Sequence, residues 1–186
     1  MGNLTLLGIS GSLRRGSYNT ALIRIAKEEC PPGVDFLTAD ISTLPLYNED
    51  VRLQGEPPPV IVLKEQIRSA AALLIATPEY NYSIPGVLKN AIDWASRPPE
   101  TSPLSNKPVA LMGAGGMMGT SRAQYHLRQV CVFTNMYPLN KPELFVRRAT
   151  EKFDDKGNPR DPMLRDRVRN LIAALLAWTE RLRDRK

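Results

Sequence analysis

The chain opens on an apolar run, residues 4–9, that breaks abruptly into glycine and serine. A buried parallel strand that ends in a loop has this pattern. Ala21, Leu22, Ile25 and Ala26 then recur on one face at helical spacing, with Ser17 or Asn19 placed to cap the first turn. Pro31, Pro32 and Gly33 stop that helix, and residues 34–39 read as a second strand. Residues 44–59 mix Pro, Glu, Asp and Gly without periodicity and predict a long surface loop before a helix over 60–70. The continuous apolar stretch 71–77 predicts a strand buried on both faces that ends at Pro78.

Beyond a loop at 78–85, Leu88, Ala91, Ile92 and Ala95 form a helical stripe over 86–96. A linker, 97–107, leads to a strand at 108–112 and a glycine-rich turn at 113–119. The helix expected over 121–134 carries two apolar stripes: Ala123, Leu127, Val130 and Cys131 on one, Tyr125, Val132, Phe133 and Met136 on the other. A helix apolar on two sides is covered on two sides, so this one is expected in a subunit interface. A last strand near 144–147 and an irregular stretch, 149–160, precede a final helix that opens on Asp161 and Pro162, a cap followed by proline. Five strands alternating with about five helices predict one α/β domain, 1–186, with a doubly wound parallel sheet between helical layers.

Composition adds bounds. In 186 residues, 42% are hydrophobic and 24% charged, ordinary values for a folded domain that needs neither disulfides nor metal. No window approaches a membrane span and no targeting segment is recognised, so the cytoplasm is the expected location. The two cysteines, Cys30 and Cys131, belong to no CxxC pair and read as reduced thiols. The net charge of +6 comes from scattered basic residues, many in 160–186 beside compensating acids. That spread argues against a nucleic-acid partner and suits a generic attraction for anionic cosubstrates.

Two loops carry candidate chemistry. The first, 10–19, joins a strand to a helix N-terminus, where free amides and the helix dipole favour an anion. Ser12, Ser17, Asn19 and Thr20 supply donors, Gly11 and Gly16 allow close approach, and Arg14 or Arg15 supplies charge. Gly11 and Gly16 have P-loop spacing, but Ser17 follows where a lysine is required, which excludes a nucleoside triphosphatase. The turn Gly113-Ala114-Gly115 starts like a dinucleotide fingerprint, yet has Met118 at the final glycine position and follows a late strand. A monophosphate carrying a planar ring system remains. The second loop, 78–83, is shaped by Pro78, with Pro85 and Gly86 beyond it, and offers amides and Asn81 to a heteroaromatic edge.

Three segments, GSLRRGSYN at 11–19, PEYNYSIPGVLKNAIDW at 78–94 and SRAQYHLRQV at 121–130, together resemble the NADPH-dependent FMN reductase family, in particular its bacterial chromate and quinone reductase branch. The likeness spans nearly the whole chain, and the middle motif is the most diagnostic. It implies a flavodoxin-like, three-layer fold whose five-stranded parallel sheet has order 2-1-3-4-5, a tightly bound FMN, and self-association as a dimer or a tetramer. It also implies that Ser10, Ser12, Leu13, Arg14, Ser17, Tyr18, Asn19 and Thr20 surround the FMN phosphate. Pro78, Glu79, Tyr80, Asn81 and Ser83 would lie along the isoalloxazine, with Ala114, Gly115 and Gly116 on its other side. The chain departs from the family at Ala114, where serine is common, and at Met117, Met118 and Thr120, where glycines are common.

The implied reaction is hydride transfer from NADPH or NADH to FMN, then two-electron reduction of a quinone or similar acceptor, with free flavin, chromate and azo compounds as further candidates. The cofactor performs the hard step, so no catalytic side chain and no metal ligand is expected. His126, the only histidine, lacks a Cys or carboxylate partner motif and reads as a surface or interface residue whose loss spares activity. Arg122, Tyr125 and Glu143 read as interface polar residues. Two other classes share the fold: an electron-carrier flavodoxin, disfavoured by the basic charge and by the loop at 78–86, and a flavin-dependent binding or sensor module.

Overall fold

A computed structural model describes residues 4–183. Strand β1 (Leu4–Ser10) leads into helix α1 (Tyr18–Glu28), and β2 (Val34–Ala39) into α2 (Glu49–Gln54) and α3 (Pro58–Ser69). Strand β3 (Ala72–Ala76) is followed by α4 (Gly86–Ala95), and β4 (Pro108–Ala114) by α5 (Ser121–Thr134). Two short strands, β5 (Tyr137–Pro138) and β6 (Leu144–Val146), and helices α6 (Ala149–Lys152) and α7 (Met163–Arg183) complete the chain.

All pairings are parallel and the order is β2-β1-β3-β4-β5, with β6 also on β4. The expected order 2-1-3-4-5 therefore holds, with the fifth position divided between two pieces. Tyr137 and Pro138 pair with Pro108 and Val109, and residues 144–146 with 112–114. Pro142, in the segment between the two pieces, has no N–H to donate to a ladder. Gly113 and Ala114, expected in a turn, are strand residues because β6 gives them partners.

The sheet is buried on both faces. Against one, α1 and α7 place Leu22, Ile25, Val168, Leu171 and Leu175 over Leu6, Leu74 and Met112. Against the other, α3, α4 and α5 place Leu63, Ile67, Leu88, Ile92 and Leu127 over Leu7, Ile75 and Leu111. On α5 the first expected stripe is the inner one, with Ala123, Leu127 and Cys131 buried. Tyr125, Val132 and Phe133 point outward, but Met136 is buried beyond the helix end.

Two helices fall where the sequence predicts irregular chain. Helix α2 is capped by the Asn48 side chain but buries none of its residues, so it shows no apolar stripe. Helix α6 has only four residues and buries Ala149 alone. Among the described residues no helix is long and apolar enough to cross a membrane.

Candidate functional site

The carboxyl ends of β1, β3 and β4 bring three loops together. In the first, the Ser17 hydroxyl caps α1 by accepting from the amides of Asn19 at 3.2 Å and Thr20 at 3.3 Å. The Ser17 amide donates to the Arg14 carbonyl at 3.0 Å, folding the loop back over the helix end. The Ser10 and Thr20 hydroxyls meet at 2.9 Å, and the Ser12 hydroxyl, nearly buried, accepts from the Arg14 amide at 3.4 Å. The amides of Leu13, Arg15, Gly16 and Tyr18 find no acceptor among the described residues. Four such donors at the positive end of a helix, beside two exposed arginines, suit a multidentate anion such as a phosphate monoester.

The Tyr18 ring is packed between this loop and the chain near Phe153. It stacks on Phe153, with centroids 5.1 Å apart, and the Arg14 guanidinium lies 5.2 Å from its centre. Next to the loop a cleft of about 380 Å³ runs from Arg14 and Thr20 to Arg24 and the 154–157 turn. Asp154 closes that turn by accepting from the amides of Lys156 at 2.9 Å and Asn158 at 2.7 Å. The turn lies outside every motif of the sequence analysis; its local signal is an acid followed by glycine at Gly157, which has φ +75°.

In the second loop Tyr80 and Ser83 exchange backbone hydrogen bonds at 3.0 and 2.9 Å around Asn81 and Tyr82, at φ +50° and +67°. This is the geometry of a two-residue turn with both central residues left-handed. Asparagine tolerates that region, whereas a tyrosine there costs on the order of 1–2 kcal/mol. The amides of Asn81 and Tyr82 have no acceptor among the described residues. Helix α5 holds the turn from behind. The Glu79 carboxylate accepts from the amides of Arg122 at 3.2 Å and Ala123 at 3.4 Å and pairs with the Arg122 guanidinium. It thereby caps a helix whose own cap residue, Thr120, offers no side-chain capping bond to the first-turn amides. The Arg122 guanidinium covers the Tyr82 ring at 3.6 Å, and His126 Nδ1 lies 3.0 Å from Ser83 Oγ. Arg122, read from sequence as an interface residue, is thus already engaged inside the chain.

The third wall is stitched to the first. Asn19, buried, accepts from the Ala114 amide at 2.9 Å and donates to the Ala114 carbonyl at 3.0 Å. Its side chain faces β4, so it fixes the distance between two walls. The Ala114 side chain is buried and its backbone is fully engaged, which leaves the wall to the residues after it. The amides of Gly116, Met117 and Met118 are open, and both methionine side chains are exposed. Met117 and Met118 extend this wall beyond the three residues expected from sequence. Gly113 is obligatory here: a Cβ would lie 1.9 Å from Thr120 Oγ1 and 2.4 Å from the Thr77 carbonyl.

The sequence profile of the NADPH-dependent FMN reductases matches residues 4–151. The chain belongs to that family. An NAD(P)H-dependent FMN reductase of Pseudomonas aeruginosa is 56% identical over 182 residues, covering 97% of this chain and 98% of the relative. An NADPH:quinone oxidoreductase of Arabidopsis thaliana is 40% identical, covering 98% and 95%. Among solved structures, the flavoenzyme NAD(P)H:(acceptor) oxidoreductase FerB of Paracoccus denitrificans superposes with a TM-score of 0.86 at 31% identity, covering 96% and 98%. As a member of the family the chain is an FMN-dependent oxidoreductase that draws on NAD(P)H.

The residues present fit this cofactor. The first loop offers open amides and hydroxyls for a phosphate, while the second and third loops offer amides to a planar ring between them. Among the described residues no group of His, Cys, Asp and Glu side chains is placed to hold a metal. Burial pushes the Cys131 thiol up to about 11, too high for a thiolate nucleophile at neutral pH.

Proposed function

We propose that this chain passes two electrons from NADPH or NADH, through FMN held between the three loops, to quinones. The observation that carries the assignment is the convergence of unanswered amides: four on the 10–19 loop, two on the 80–83 turn and three at 116–118. When bound, FMN supplies the hydride chemistry. The chain's own part is to bind and orient. The open amides and the Ser10, Ser12 and Thr20 hydroxyls hold the phosphate, with Arg14 and Arg15 adding charge. The amides of Asn81, Tyr82, Gly116, Met117 and Met118 face the ring, with Pro78 and Gly115 setting the spacing behind them. No acid or base side chain is needed at the reacting atoms. The quinone acceptor is supported by the quinone oxidoreductases among the relatives, including a quinone reductase of Escherichia coli at 39% identity.

In this reading the chain works as one domain, in the cytoplasm, as a dimer or tetramer, without a nucleic-acid partner. Support for assembly comes from the outer face of α5, where Tyr125, Val132 and Phe133 are more than half exposed.

Protein purified with bound FMN and mixed with NADPH and 1,4-benzoquinone is expected to oxidise NADPH at a rate that depends on both substrates. A preparation that binds no added FMN, or that oxidises no nicotinamide with any quinone offered, refutes the assignment. Light scattering tests the assembly, and a monomer at high concentration refutes that part.

A further inference from the structure

The 80–83 turn is the most strained segment near the site, because two adjacent non-glycine residues adopt left-handed backbone there. Such backbone persists only where its surroundings over-determine it. Its restraints come almost entirely from α5. Glu79, at the entry to the turn, is fastened to Arg122, and Ser83, at the exit, is fastened to His126 through the 3.0 Å contact. Arg122 and His126 are four residues apart, so they occupy adjacent turns on one face of the helix. One helix face therefore grips both ends of the turn.

We infer that His126 is a positioning residue for the flavin reaction, acting through the Ser83 hydroxyl to keep the Asn81 and Tyr82 amides aimed at the ring. The inference rests on the reading that this turn faces the flavin. His126 is exposed, and its role here is a hydrogen bond and no proton transfer. Without it Ser83 keeps only the backbone pair with Tyr80, the Tyr82 ring keeps its Arg122 cover, and the left-handed backbone at Tyr82 loses one of the contacts that hold it. This reverses the expectation from sequence that the loss of His126 spares activity.

The test compares FMN-saturated wild type with His126→Leu, His126→Asn, Ser83→Ala and the Leu/Ala double variant. An asparagine amide takes the place of Nδ1 and keeps the bond; leucine removes it. The readouts are kcat and KM for NADPH with 1,4-benzoquinone, the visible circular dichroism of bound FMN, and the thermal midpoint. His126→Leu and Ser83→Ala are each expected to alter the flavin dichroism and lower kcat by up to about tenfold, the kinetic equivalent of one such hydrogen bond. The double variant is expected to be no worse than either, because both remove the same contact, and His126→Asn to recover both signals. Unchanged kcat and dichroism overturn the inference. So do losses that multiply in the double variant, or a fall in thermal midpoint alone. If wild type itself fails to bind FMN, the functional assignment fails first, and the variants are not needed to show it.

Discussion

Replacing Asn19 by alanine removes the bridge between the first and third walls. Two hydrogen bonds are lost, at 2.9 and 3.0 Å, and the Ala114 amide and carbonyl are left unpaired in a place water does not reach. Each orphaned buried group costs about 1–3 kcal/mol, so a loss near 3 kcal/mol is expected once some relaxation is allowed. For a domain of this size that corresponds to a fall of roughly 6–12 °C in thermal midpoint. Asn19→Asp separates stability from binding. It keeps an acceptor for the Ala114 amide but sets a carboxylate against the Ala114 carbonyl and adds negative charge near the phosphate cradle. It is expected to weaken FMN binding more than Asn19→Ala relative to the stability each loses. The assay is thermal and urea unfolding of the apoprotein, followed by fluorescence titration with FMN. A stability loss below about 1 kcal/mol for Asn19→Ala, with unchanged FMN affinity, refutes the claim that this side chain ties the walls together.

Gly113→Ala must displace the Thr77 backbone as well as Thr120; such overpacking costs about 1–3 kcal/mol or more, so a lowered thermal midpoint is expected, and trimming Thr120 should not restore it. Lys64, buried, pairs with Glu56 and donates to the Arg97 carbonyl; Lys64→Ala leaves both partners unanswered and should cost about 1–3 kcal/mol in urea unfolding. The Glu29 carboxyl is held below its ordinary 4.5, first by its hydrogen bond to Arg165 and then by that to Arg169. A depressed carboxyl stabilises the fold above its unfolded pKa, so this contribution is expected to vanish as pH falls below about 4.5. Glu29→Gln should flatten that part of the stability profile. Cys131 should resist thiol reagents at pH 7 in the folded protein, because it is buried and its thiol is raised to about 11.

Elements that bury one face of themselves were legible in the sequence. The stripes of α1, α4 and α7 and the runs of β1, β3 and β4 announce themselves because burial imposes periodicity or continuity on the residue pattern. Helix α2 buries nothing, and β5 is two residues long, so neither leaves a pattern to read. The same division holds at the site. The 10–19 and 78–83 loops stand out by their glycines, hydroxyls and prolines, which act locally. Asn19 with Ala114, Glu79 with Arg122 and His126 with Ser83 are pairs separated by 43 or 95 residues, and only the topology that sets β4 and α5 beside the first two loops brings them together. Asn19 reads from the sequence as a donor to the phosphate, and the family resemblance sets Glu79 along the isoalloxazine. The fold assigns their side chains to holding backbone.

The divided fifth position of the sheet also bears on how the protein keeps to itself. A long, flat edge strand is a row of open donors and acceptors on which another chain can grow. Here that edge is two ladders of two and three residues, interrupted between Pro138 and Leu144. No incoming strand finds enough consecutive partners there to compete with solvent. Crowding and heat should therefore drive self-association through side-chain surfaces before sheet extension at this edge.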